Sequence, residues 1–99
     1  MTAARSAGRT DLVVTTIDLG LNAAVAIAKG DMIYGLGAQR PFDQGLAEAK
    51  LAAYGLLGKT APAYVALSAL PVTKDNVLDA WQQVYHQPAP DALASAMKK

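Results

Sequence analysis

Val13-Val14-Thr15-Thr16-Ile17-Asp18-Leu19-Gly20 is the stretch whose reading decides the fold, and Met32-Ile33-Tyr34-Gly35-Leu36-Gly37-Ala38-Gln39-Arg40-Pro41 repeats its logic. Each opens as an apolar run of strand length, rich in β-branched residues in the first case. Each ends in polar residues, and each is followed by helical periodicity. Continuous apolar runs are the composition of strands covered on both faces, as in a parallel sheet. In an open α/β sheet, ligands bind at the rim formed by the carboxyl ends of the strands. Asp18 and Gln39 fall at that rim on two consecutive strands. A carboxylate beside a carboxamide can accept and donate hydrogen bonds to a polyhydroxylated ligand.

Working outward, Thr2 to Gly8 reads as a helix tail with Gly8 as its cap, and a Met ahead of a helix tail points to a truncated protein. Gly20 to Lys29 is predicted helical, with Leu21, Ala24, Val25 and Ala28 on one face and Gly30 as the stop. Within the second strand, Gly35 and Gly37 allow close backbone approach. The spacing predicts a long helix over 43–57 behind Pro41, with Leu46, Ala49, Ala53 and Leu57 as its buried stripe. A third strand is expected over 63–70, ended by Pro71. Thr73 is then expected to cap a helix with Val77, Leu78, Trp81, Val84 and Tyr85 on its apolar face. Gln87-Pro88-Ala89-Pro90 breaks the pattern before a short helical or frayed tail. The order (α)βαβαβα predicts an α/β fold, a parallel sheet with flanking helices and right-handed crossovers.

Composition bounds the alternatives. Of 99 residues 53% are hydrophobic, but 21 of those are alanines and only six are aromatic, so the expected core is thin. One small domain of this size has a net stability of ~5 kcal/mol. The net charge is +1, with the basic residues dispersed and only Lys98-Lys99 adjacent, which argues against a nucleic-acid partner. There is no cysteine and one histidine, His86, so neither a disulfide nor a metal centre is expected, and His86 reads as a surface residue. No run reaches the ~18 apolar residues of a membrane span. The first ten residues lack the apolar core of a secretion signal, so the chain as written is expected to stay cytoplasmic.

Gly35-Leu36-Gly37-Ala38-Gln39-Arg40 begins like a dinucleotide fingerprint, but Arg40 occupies the third glycine position and the glycines lie inside a strand. Ser6, Ser68 and Ser95 have no nucleophile-elbow context, so no enzyme is expected and no cofactor either. Asp18 reads either as the cap of the following helix or as a fixed carboxylate on the binding rim. Phe42 reads as a packing residue at the helix entrance or as a platform for a sugar ring, and Arg40 as a solvated rim residue or a donor to a ligand oxygen. Trp81 reads as the anchor of its helix on the core.

Three segments, Val-Val-Thr-Thr-Ile-Asp-Leu-Gly (13–20), Gly-Ala-Gln-Arg-Pro-Phe-Asp-Gln-Gly (37–45) and Ala-Leu-Pro-Val-Thr-Lys-Asp-Asn-Val (69–77), occur in order with helices between them. Together they resemble the carboxyl-terminal part of the sugar-binding components of bacterial ABC importers, the periplasmic binding proteins of the ribose/galactose-binding type. The resemblance covers residues 3–87. It implies a partial lobe of flavodoxin-like type. In such proteins two α/β lobes, joined by three hinge crossings, close over a sugar. Residues 1–38 and 71–99 would belong to one lobe and 40–67 to the other, with crossings near 39–41 and 68–71. Asp18 and Gln39 would contact sugar hydroxyls, with Arg40 and Phe42 beside them. The parent would be periplasmic and would dock on a membrane permease. A member of the family is far longer than this chain, so sugar binding by the chain alone is expected to be weak or lost. Its uncovered surfaces are expected to drive homo-oligomer formation by strand pairing or element exchange. Two rival readings are the ligand-sensing segment of a LacI-type transcription regulator, which would carry a helix-turn-helix, and a stand-alone self-associating interaction domain.

Overall fold

The computed structural model describes residues 1–98. Along the chain lie α1 (Thr2–Ser6), β1 (Val14–Ile17), α2 (Leu21–Lys29), β2 (Ile33–Ala38), α3 (Pro41–Leu56), β3 (Leu70–Val72), α4 (Val77–Tyr85) and α5 (Asp91–Ala96). Backbone chemistry sets most of these boundaries. Gly30 ends α2 in the left-handed conformation at φ 68°, which removes any penalty for a Cβ there. Pro41 occupies the first turn of α3, where its missing N–H goes unneeded, and Asp43 in that turn complements the helix dipole. The expected cap on α4 is different: Asn76, not Thr73, is its N-cap residue. The Asn76 side chain pins the approach to the helix, accepting from the Thr73 N–H at 2.8 Å and donating to the Pro71 carbonyl at 2.9 Å.

The fold is mixed α/β, built on a three-stranded sheet in the order β1-β2-β3. Strands β1 and β2 run parallel, with Thr16 opposite Leu36 and Ile17 opposite Gly37. Strand β3 is antiparallel to β2, with Ala38 opposite Leu70 and Gly37 opposite Pro71, so the all-parallel expectation is corrected. The chain leaves the sheet at the end of β2, runs out along α3, and re-enters at the same rim beside the point where it left. A strand that re-enters there can only run against its neighbour. The third strand is also shorter and later than predicted, because residues 63–69 lie out along the arm with no strand beside them. Pro71 fits because β3 is an edge strand, where a missing N–H breaks no ladder.

Helix α2 packs on β2 and α4 on β3, and α5 packs in turn on α2. Leu19, Ile27, Val72, Val77, Val84 and Leu93 are the largest of the core's fully buried side chains. The final segment is therefore a true core helix, with Leu93 and Ala96 buried. Trp81 is half-buried against this core and tilts on Tyr85 at 4.5 Å between ring centroids. Along β1 the residues alternate between half-buried and exposed, so coverage on both faces does not hold among the described residues. Val13 and Ile17 are each 67% exposed.

The predicted buried stripe of α3 is likewise corrected, since α3 buries none of its residues. It forms, with the returning segment 57–69, an arm that stretches the molecule to 59 × 26 × 18 Å. The radius of gyration is 17.4 Å, against about 13 Å for a compact chain of this length. Periodicity specifies which side of a helix is apolar. It does not supply the surface that covers it.

Candidate functional site

The strand-end rim carries the residues singled out from the sequence. Asp18 follows β1 directly and adopts a left-handed backbone at φ 68°, a conformation rare for residues with a side chain and tolerated best by Asn and Asp. Two contacts hold this turn. The Asp18 N–H donates to the Gly37 carbonyl at 3.0 Å, extending the parallel ladder by one step. The next residue, Leu19, is buried, and its carbonyl accepts a 2.6 Å hydrogen bond from the Tyr85 hydroxyl. The cap reading of Asp18 does not hold: Gly20 is the N-cap of α2, and no side chain caps that helix. The Asp18 carboxylate has no hydrogen-bonding partner among the described residues. It lines an open depression of about 440 Å³ together with Thr16, Leu21, Asn22 and Ile33.

Gln39 stands at the end of β2, exposed, on the same rim as Asp18 because β1 and β2 are parallel neighbours. It does not line the Asp18 depression. Arg40 is the N-cap residue of α3, and its Nε donates to Asp43 Oδ2 at 2.7 Å. Phe42 stacks on the His86 ring at 4.0 Å between centroids and 26° between planes, so one of its faces is taken. The sequence thus identified four neighbours, but the fold sorts them into two groups. Among the described residues the side chains of Asp18 and Gln39 have no hydrogen-bonding partner, whereas Arg40 and Phe42 belong to a cluster at the root of the arm.

That cluster was not visible as a unit in the sequence. His86 ends α4 in a left-handed conformation at φ 53°, which turns its ring toward α3. Its Nε2 lies 3.3 Å from Asp43 Oδ1, so the carboxylate bridges Arg40 and His86. The hydrogen bond from Arg40 holds the Asp43 carboxyl below its ordinary value against the opposing effect of partial desolvation, and His86 adds to the lowering. Asn22 was missed as well. The only signal was an amide side chain in the first turn of the helix that follows Asp18.

Among the described residues no helix is long and apolar enough to cross a membrane. No three His, Cys, Asp or Glu side chains gather there in a group able to hold a metal ion. Compared with known proteins, the chain matches no family model and no curated protein.

Proposed function

We propose that the chain is a carboxyl-terminal segment of the sugar-binding component of an ABC importer, a binding protein rather than an enzyme, with Asp18 and Gln39 as hydrogen-bonding groups for sugar hydroxyls. The observation that carries this reading is the rim itself. A carboxylate and a carboxamide, neither engaged by a described partner, stand on adjacent parallel strand ends at the place where the chain departs for the arm. Asp18 is held there in a strained backbone conformation by the ladder bond to Gly37 and, through Leu19, by Tyr85. Strained backbone that the surrounding structure over-determines clusters at ligand sites.

The two chain crossings at the rim support a two-lobe parent. Ala38 and Leu70 are paired across the outgoing and returning segments, so residues 39–41 and 68–71 lie side by side as hinge strands would. In this reading the arm is part of the second lobe, and the open sheet face and the bare sides of α3 are surfaces that the parent covers. The permease of the importer is the partner of that parent. A single rim without its opposing wall leaves the ligand in water, where each hydrogen bond nets only about 0.5–1.5 kcal/mol. Affinity of the chain alone is then in the millimolar range, about 4 kcal/mol.

The test is a ¹⁵N-resolved NMR titration with a panel of pentoses and hexoses. The expected result is saturable shifts of the amides over 16–22 and 38–40, abolished in Asp18→Ala and reduced in Gln39→Ala. Shifts scattered over the surface, or none at saturating sugar, would remove both residues from a sugar site.

A further inference from the structure

The arm is tied to the body of the molecule by backbone and by side chains. The backbone ties are the two crossings, where the chain leaves β2 at Gln39 and enters β3 at Leu70. Side chains make the contact of α3 with α4. Phe42 stacks on the His86 ring at 4.0 Å between centroids. His86 Nε2 lies 3.3 Å from Asp43 Oδ1, and Arg40 Nε donates to Asp43 Oδ2 at 2.7 Å. Since α3 buries none of its residues, no core packing fixes its direction.

We propose that His86 is a proton-operated catch on the arm: its protonation locks α3 against α4, and its deprotonation frees the arm to swing about residues 39–40 and 69–70. Both contacts of the ring respond in the same direction. A neutral imidazole has one N–H, and in the tautomer with that proton on Nδ1 the lone pair of Nε2 faces the carboxylate. The imidazolium carries a proton on each nitrogen, so Nε2 always donates to Asp43 and the bond becomes charge-assisted. Over the face of Phe42 the cation is also attracted by the ring quadrupole. The charges around the ring favour this state. Asp43 on α3 faces it directly, and Asp79 lies two turns back on α4, lining an open depression with Gln82, Gln83 and His86. Arg40 opposes it, but its guanidinium is bonded to the other oxygen of Asp43. The carboxyl end of α4 favours a cation at His86 and the amino end of α3 disfavours one, so the two helix dipoles offset. Imidazole is the side chain whose charge ordinarily changes between pH 5 and 8, and His86 is the only histidine of the chain. A histidine whose charged form gains a native partner contributes fully below its titration and loses that contribution as pH rises through it. The catch therefore holds on the acid side of that range and opens on the basic side.

The chain has no cysteine, so spin labels are placed at chosen positions without background. Labels at Lys29→Cys on α2 and Lys50→Cys on α3, both exposed, report the distance from body to arm by double electron–electron resonance. The expected result is a narrow distance distribution at about pH 5.5 that broadens at about pH 8. The ratio of locked to free arm should change about two- to fivefold, with a midpoint that coincides with the titration of the His86 ring protons in NMR. His86→Asn, which the left-handed turn tolerates, should give the broad distribution at both pH values. Asp43→Asn should remove most of the pH dependence while leaving the stack on Phe42, and Asp79→Asn should retain it. A distribution that is the same at both pH values overturns the proposal. So does one that narrows as pH rises, or a pH dependence that survives His86→Asn or that Asp43→Asn leaves at full size. No sugar enters these readouts, so the catch and the sugar site stand or fall separately.

Discussion

Leu93 offers the sharpest test of where the stability of this chain resides. It sits in α5, a helix of six residues (Asp91–Ala96), and is fully buried at 0% exposure against the sheet-bound helices. A six-residue helix has no independent stability, so its docking rests on Leu93 and Ala96. Replacing Leu93 by Ala removes the transfer free energy of the lost methyl and methylene groups and leaves a cavity where the surroundings cannot fully relax. Fully buried Leu→Ala changes cost about 2–5 kcal/mol. A chain of about 100 residues has only about 5–15 kcal/mol in total. We therefore expect Leu93→Ala to lose about 3 kcal/mol, which lowers the melting temperature by about 12–24 °C at the usual 4–8 °C per kcal/mol. The control is Leu56→Ala on α3, where the side chain is 90% exposed and the expected change is below about 0.5 kcal/mol. Urea unfolding followed by Trp81 fluorescence and by circular dichroism, at a concentration below that of any association, measures both. Equal losses in the two variants, or a loss below about 1 kcal/mol for Leu93→Ala, would refute the division into a packed body and an unpacked arm.

Tyr85→Phe deletes the 2.6 Å bond to the Leu19 carbonyl and strands a buried acceptor; the expected cost is about 1–2 kcal/mol, read by chemical denaturation together with a shift of the Asp18 amide resonance. Gly35→Ala places a Cβ 3.1 Å from the Val72 carbonyl oxygen, so β3 must move, whereas the nearest atom to a Cβ at Gly37 is 3.8 Å away. Faster amide exchange in the β2–β3 ladder is expected for Gly35→Ala and not for Gly37→Ala. The lowered titration of Asp43 makes its clasp sensitive to acid. A carboxyl whose folded value lies below its unfolded value, about 3.9, contributes fully above that value and loses the contribution as pH falls through the folded value. Amide exchange in the first turns of α3 should therefore accelerate below about pH 4, and Asp43→Asn should remove that dependence. An exchange profile indifferent to pH in the unmodified chain would show that the clasp does not hold the arm.

What could be read from the sequence was whatever is encoded locally. The α2 boundary at Gly30, Pro41 at the start of α3 and the two strand ends at Asp18 and Gln39 follow from backbone chemistry within a few residues, and they fall where expected. Long-range facts were hidden. The direction of β3 depends on the rim at which the arm re-enters, which no property of Ala63 to Leu70 encodes. The stack of Phe42 on His86 joins residues far apart in the chain, and its only local trace is the left-handed turn at His86 that aims the ring. The burial of α3 failed for a related reason. Its stripe is correctly apolar, but the surface that would complement it is not among the described residues.

The same division bears on the rim. Asp18 is the one residue there whose side chain is unengaged while its backbone is anchored on both sides, by the Gly37 carbonyl before the turn closes and by the Tyr85 hydroxyl on Leu19 just after it. A left-handed aspartate with no structural task for its carboxylate carries a conformational cost of order 1–3 kcal/mol that a glycine would avoid. Asp18→Gly separates the two explanations for its presence. If Asp18 serves only the turn, the glycine relieves strain, raises stability and changes nothing else. If the carboxylate is there for a ligand, the glycine variant is at least as stable as the parent chain and yet loses the sugar-induced shifts over 16–22, a gain in stability paired with a loss of binding that no purely structural role produces.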